Sequence, residues 1–206
     1  MTAFQLFHSP ASPYVRKVLV SAHEKGVADA IALLPSAAGP VKRDATIVAH
    51  NPSGKVPTAL LPDGSALYDS RVICAYVDSL AEAPRLLPAE GPERFRVLTL
   101  EALADSMLDA ALLCRYETVL RPEELRWDAW YAGQMEKIDS GLAELSQHWL
   151  PLLEGPVNAG SIAAACALGY LDFRFADKNW RDPHPALAGW YATFAERPSM
   201  QATRPR

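Results

Sequence analysis

Three short stretches in the first half of the chain hold residue types that could do chemistry together. They are SPASPYVRKV (residues 9–18), NPSGKVPTALL (residues 51–61) and YDSRVICAYVD (residues 68–78). Ser12 precedes Pro13, and proline is favoured in the first turn of a helix, so Ser12 reads as an N-cap. Its hydroxyl then lies beside free N–H groups and the positive end of the helix dipole. A thiolate held there would be stabilised by one hydroxyl donor plus the helix end. Lowering a thiol pKa by roughly two units asks for about 3 kcal/mol. One charge-assisted hydrogen bond plus the dipole is of that size. From Ser-Pro alone, plain helix capping is the simpler explanation. Ser9 also precedes a proline and is a second candidate, better suited to a turn.

Pro57 follows Lys55-Val56 and opens a strand. A cis Val56-Pro57 bond would turn the Val56 N–H and C=O towards a ligand, like an unpaired strand edge, though cis bonds are a small minority before proline. Lys55 suits a carboxylate and equally suits a solvated surface. Asp69-Ser70 begins a helix. Ser70 with its own N–H suits a carboxylate, and Asp69 suits an ammonium. An α-amino acid end carries both groups, while Asp-Ser is also a common helix start. Three polar ends from separate parts of the chain suggest one small anionic ligand, held mainly by backbone.

The elements that must position these residues follow from spacing. Residues 3–8 form a short strand ending at a Ser/Pro cluster. Residues 12–26 form a helix with Val15, Val18, Leu19 and Ala22 on one face and Gly26 as its stop. Residues 30–34 are an apolar run fit for a buried strand, and residues 41–50 a weak helix ended by Asn51-Pro52. Residues 58–61 and 66–68 flank a Pro-Asp-Gly-Ser turn, a hairpin. Residues 70–80 are helical, with Val72, Ile73, Tyr76 and Val77 on one face. The order is β-α-β-α-β-β-α. Residues 81–92 are a proline-rich linker, which separates domain 1–80 from domain 93–206. After it come helices over 95–120 and 123–150, a nearly all-apolar central helix over 161–175, and a last helix from 184 or 185 to 196. The tail TRPR is expected to fray.

Composition narrows the class. Half of the 206 residues are hydrophobic, ample for a core. A net charge of -4 gives no basic footprint for nucleic acid. No apolar run is long enough to span a bilayer, and MTAFQLFHSP lacks the marks of a signal peptide. Cys74, Cys114 and Cys166 are widely spaced, form no CxxC pair and match no metal site, so they read as buried thiols of a cytoplasmic protein.

Taken together in this order, these stretches resemble the cytosolic glutathione transferases, in particular bacterial members of the serine type. SPYVRKV, NPSGKVP and DSRVICAYVD carry the likeness, with LADSMLDAALLCRYE and GSIAAACALGYLDFR in the second half. The resemblance implies a thioredoxin-like N-terminal α/β domain followed by an all-α helical-bundle domain. It matches Ser12 to the thiol-activating residue, and Val56 and Pro57 to the backbone pair and cis-proline that meet the cysteinyl part of glutathione. Lys55 matches a lysine that meets the glycyl carboxylate, and Asp69 and Ser70 match the pair that holds the γ-glutamyl end. Asp105 matches an acid that reaches the γ-glutamyl group of a neighbouring subunit. Leu108, Leu112, Arg115 and Tyr116 are the candidates for the electrophile pocket. Two departures stand out. Asp69 replaces a commoner glutamate, which keeps the charge. The central helix starts Ser161-Ile162-Ala163-Ala164 where the family has Ser/Thr-x-x-Asp, so half a capping box is missing, at a cost of about 1 kcal/mol.

The implied activity is attack by the glutathione thiolate on a small hydrophobic electrophile. Glutathione is the co-substrate, no cofactor is permanently bound, no metal is held, and the chain is a homodimer. The absence of a cysteine near the first helix start argues against disulfide exchange, while an isomerase or peroxidase using the same thiolate stays open. The alternative from another class is a non-catalytic binding or regulatory protein on the same scaffold. The full ligand set argues against it. A serine hydrolase is excluded by the lack of a Gly-x-Ser-x-Gly elbow and of a histidine placed to serve Ser12.

Overall fold

The structure, a computed structural model, describes residues 2–205. The chain forms two compact units: residues up to 87 together with those from 197 onward, and residues 88–196. The first contains β1 (Phe4–His8), α1 (Pro13–Glu24), β2 (Ile31–Pro35), α2 (Ala45–Val48), β3 (Thr58–Leu60), β4 (Ala66–Leu67) and α3 (Ser70–Ser79). The sheet order is β2-β1-β3-β4, with β1 parallel to β2 and antiparallel to β3, and β3 antiparallel to β4. Phe4 and Leu6 alternate inward from β1, as a half-buried strand requires. They meet Val15, Val18 and Ala22 of α1, Ala59 of β3, and Ile73, Cys74 and Val77 of α3. Both long helices of this unit therefore bury their apolar faces in one core. Val72, expected inward, is exposed, and Cys74 takes its place.

Two expectations for this unit need correction. The 30–34 run is not a buried strand: β2 is an edge strand, with Leu33 exposed. The 41–50 helix shrinks to α2, because Asp44 caps it by accepting the Thr46 N–H at 2.9 Å.

The second unit is all helical: α4 (Pro92–Val119), α5 (Asp128–Glu144), α6 (Leu150–Leu153), α7 (Ala159–Arg174) and α8 (Pro185–Ala195). The expected single helix over 123–150 is broken twice. Its start is a loop closed by Glu117, whose carboxylate accepts from the Trp127 N–H at 2.9 Å and from Arg121 at 2.7 Å. Its end passes through a π-type stretch, Leu145–Trp149, before Pro151, which lacks the N–H an α-helix would use. The central helix α7 is buried along its whole apolar length, from Ala159 to Leu171. It lies so close to α4 that a Cβ added at Gly160 would fall 2.8 Å from Leu100 Cγ.

The start of α7 overturns the missing-box expectation. The N-cap is Asn158, not Ser161. The Asn158 side chain accepts from the Ser161 N–H at 2.9 Å, and Ser161 Oγ accepts from the Asn158 N–H at 2.9 Å. The box is complete with serine in the acid's role, so the expected weakening does not arise.

The chain ends on the first unit, where α9 (Pro198–Ala202) packs against α1. Arg197 donates to Glu24 through two bonds of 2.8 and 2.7 Å, and Arg16 donates to the Met200 carbonyl at 3.1 Å. That anchored helix stops at residue 202, just before the TRPR tail, whose last residue lies outside the described residues. The linker is tied down as well. Lys25 pairs with Asp78 at 3.1 Å and donates to the Pro84 carbonyl at 2.7 Å, and Asp78 accepts from the Leu86 N–H at 2.8 Å. Residues 81–87 therefore belong to the first unit.

Candidate functional site

The sheet register brings the three sequence stretches to one end. Thr58, at the start of β3, pairs with Phe7 near the end of β1, and Leu67, at the end of β4, pairs with Ala59. The exit of β1, the entry to β3 and the exit of β4 therefore lie side by side. Ser12 follows the first, Val56 and Pro57 precede the second, and Asp69 and Ser70 follow the third. A hairpin and one antiparallel register suffice to gather residues more than fifty positions apart.

Ser12 is the N-cap of α1, half-buried, with its Oγ accepting from the Val15 N–H at 3.3 Å. A hydroxyl has one proton to donate besides its acceptor lone pairs. Capping uses only a lone pair, so the Ser12 proton stays available to a ligand. Capping and thiol activation are thus compatible uses of one side chain. Ser9 has a different place: its carbonyl accepts from the Ser12 N–H at 3.0 Å, in the turn that leads into α1.

The Val56-Pro57 bond is cis. The Val56 N–H and C=O make no hydrogen bond with the described residues, although β3 pairs with β1 immediately afterwards. That is an open strand edge of one residue. Its loop is fixed by Asn51, which the sequence reading missed. This side chain, 1 % exposed, donates to Thr58 Oγ1 at 2.8 Å and accepts from the Ser53 N–H at 3.0 Å. Thr58 in turn donates to the Lys55 carbonyl at 2.8 Å. The signal was present: Asn-Pro-Ser-Gly is turn chemistry, and Asn bonds its own backbone two residues on. Lys55 projects an exposed ammonium that pairs with no carboxylate among the described residues.

Asp69 is the N-cap of α3 and accepts from the Arg71 N–H at 3.0 Å, leaving the exposed carboxylate room for a second partner. Ser70 is only 2 % exposed, yet its hydroxyl and N–H make no hydrogen bond with the described residues. A second cis bond, Tyr68-Asp69, precedes the pair, and no sequence signal marks it.

The remaining candidates lie in the helical unit. Asp105 is 2 % exposed and already engaged within its own chain, poor placement for reaching a neighbour's ligand. Leu108 is buried, whereas Leu112, Arg115 and Tyr116 are half-buried on the C-terminal half of α4. Burial raises the Tyr116 hydroxyl above its ordinary pKa. The three cysteines are buried, and desolvation pushes the Cys114 thiol up to about 11, so at neutral pH it is not a nucleophile. Among the described residues no helix is long and apolar enough to cross a membrane.

A mixed four-stranded sheet covered by two helices, with a capped serine and an open strand edge at one end and an all-helical unit after it, is the two-unit architecture of the glutathione transferase fold. Residues 11–80 match the glutathione S-transferase N-terminal domain, and residues 128–193 match its C-terminal domain. The chain belongs to the glutathione S-transferase family. It is 34% identical over 204 residues, 98% of each chain, to the uncharacterized GST-like protein YibF of Escherichia coli K12. Among solved structures it is similar to a glutathione transferase family member from Pseudomonas fluorescens Pf-5 with bound glutathione. That match has 48% identity, covers 98% of this chain and 99% of the other, and has a TM-score of 0.97. A Pseudomonas fluorescens Pf-5 structure with bound S-(propanoic acid)-glutathione matches at 47% identity over 98% and 100%, TM-score 0.93. A glutathione-bound transferase from Methylobacillus flagellatus KT matches at 35% identity over 98% and 100%, TM-score 0.88.

Proposed function

We propose that the chain binds glutathione at this end of the sheet and activates its thiol for conjugation to a small electrophile. The observation that carries the reading is a set of hydrogen-bonding groups, unused among the described residues, that the strand register brings to one end of the sheet. The Val56 N–H and C=O would pair with the backbone of the cysteinyl residue. Ser70, with Asp69 beside it, would take the carboxylate and ammonium of the γ-glutamyl end. Lys55 would meet the glycyl carboxylate, and the Ser12 O–H would donate to the sulfur. Glutathione in the Pseudomonas and Methylobacillus relatives supports this ligand. The propanoic acid adduct in the second Pseudomonas structure supports a product substituted on sulfur.

The mechanism follows from charge. Glutathione's thiol is mostly protonated at neutral pH, and the thiolate is the nucleophile. One hydroxyl donor and the N-terminal end of α1 favour the anion. The thiol proton passes to solvent. The thiolate forms a C–S bond at an electrophilic carbon, which either releases a leaving group with its bonding pair or gives up a π-bond whose pair takes a proton from solvent. Ser12 forms no covalent bond. The reading includes a homodimer that uses α3 and α4, which expose Val72 and Phe95.

Calorimetric titration with glutathione tests the ligand set. Binding by the wild-type chain, weakened roughly tenfold by Ser70→Ala through loss of a bond to a charged group, supports it. Absence of binding by the wild-type chain removes the enzyme reading and leaves the non-catalytic one.

A further inference from the structure

Within the first unit, α9 runs antiparallel along α1. Its start meets the end of α1, where Arg197 and Ser199 donate to Glu24. Its end meets the start of α1, where Arg16 donates to the Met200 carbonyl at 3.1 Å and to Thr203 Oγ1 at 3.4 Å. Arg16 is 8 % exposed. It stands four residues on from Ser12, whose carbonyl accepts the Arg16 N–H at 3.0 Å. Positions four apart on a helix are neighbours on one face, and helical side chains lean towards the N-terminus.

Both partners of Arg16 are neutral, and it pairs with no carboxylate among the described residues. Two other cations of this unit have an acid each: buried Lys25 has Asp78, and half-buried Arg197 has Glu24. The first turn of α1 carries no acid. A cation there is opposed by the helix dipole, and withdrawing it from water without a counter-charge is costly. Packing alone does not require it, since an apolar side chain would fill the space between α1 and α9 without that penalty. A negative charge arriving at the start of α1 would reverse the balance.

The neighbouring charges leave this field in place. Glu24 lies eight residues further along α1, roughly 12 Å up the axis, and is held by Arg197. Asp78 of α3 pairs with Lys25, Asp29 after α1 is exposed, and Lys17 is buried and already engaged. At the exit of β1, His8 Nδ1 lies 3.3 Å from the Leu34 carbonyl. Asp69, the acid at the ligand end, is exposed, so water screens it. Lys55, Arg71 and Arg204 are exposed cations of the same sign as Arg16.

We propose that Arg16 is a positioning residue for the thiolate chemistry above. α9 holds its uncancelled charge beside the first turn of α1, where it joins the Ser12 hydroxyl and the helix end in favouring the ionised sulfur of bound glutathione. The thiol proton goes to solvent. Arg16 acts through space, because α9 engages its donors. The assignment rests on the glutathione reading and adds a source of thiolate stability that α9 supplies.

The test follows the ultraviolet absorbance of the bound thiolate against pH in the wild-type chain, Arg16→Gln, Arg16→Met and Arg16→Lys. S-methylglutathione, which has no thiol to ionise, reports by calorimetry whether each variant keeps its fold and binding site. The two neutral variants are expected to bind it as the wild type does. They should raise the thiol midpoint by about one unit, tenfold in the ionisation constant. A unit charge roughly 10 Å away, at an effective dielectric constant of about 20, has that effect. Arg16→Lys keeps the charge and should stay close to the wild-type midpoint. An unchanged midpoint in a neutral variant that binds S-methylglutathione would overturn the assignment, as would an equal rise in all three variants. Loss of S-methylglutathione binding by both neutral variants would make Arg16 a structural support of α1 and overturn it too. Each of these outcomes leaves the glutathione reading standing. Failure of the wild-type chain to bind glutathione and S-methylglutathione overturns both.

Discussion

Ser12 uses one oxygen in two directions. A lone pair holds the Val15 N–H, and the proton is left over. Asn51 is the less obvious residue at this scale. Its amide ties Thr58 and Ser53 together, and Thr58 holds the Lys55 carbonyl, so the open Val56 edge is presented by a fixed loop. Asn51→Ala is expected to lower glutathione affinity about tenfold and to cost about 1–3 kcal/mol of stability, since buried partners lose their bonds. Calorimetry and urea unfolding measure the two effects. Ser12, Pro57 and the Asp69-Ser70 pair were legible because proline and capping residues act locally. Asn51 was not singled out, because its importance lies in what it bonds across the turn.

At the scale of elements, the same distinction explains what the sequence showed and what it hid. α1 and α3 were readable from helical spacing and from a capping residue at each start. The broken 123–150 segment was not, because the break depends on Glu117 reaching ten residues ahead to the Trp127 N–H. β2 misled because an apolar run does not say whether a strand is central or at an edge. The start of α7 misled because a serine at the third helical position can stand in for the acid. Close packing of α7 on α4 yields a prediction of its own. Gly160→Ala would set a Cβ within 2.9 Å of three Leu100 side-chain atoms. It should destabilise the helical unit by about 1–3 kcal/mol, read as a lower urea midpoint, because overpacking forces a shift.

For the whole molecule, the return of the chain to its first unit matters most. Glu24 lies where burial raises its pKa, but hydrogen bonds from Arg197 and Ser199 and the Arg197 charge outweigh that and hold it below its ordinary value of 4.5. A depressed folded pKa means that the stabilisation is fully present above 4.5 and is lost as pH falls through the folded value. Amide exchange in α9 should therefore accelerate, relative to β1, as pH is lowered below 4.5, beyond the intrinsic pH dependence of exchange. Glu24→Gln should produce the same acceleration at neutral pH. An acid response of α9 that matches β1 would contradict the anchoring role of this pair.

The central claim is that Ser12 and the end of α1 convert bound glutathione to its thiolate. The ultraviolet absorbance of the bound thiolate, followed against pH in the wild-type chain and in Ser12→Ala, tests it most directly. The account predicts a thiolate at neutral pH in the wild type and a titration midpoint raised by one to two units, an effect of about 1.4–3 kcal/mol, in Ser12→Ala, with glutathione still bound by both. The same midpoint in both proteins, or a bound thiol that stays protonated at neutral pH in the wild type, would contradict it.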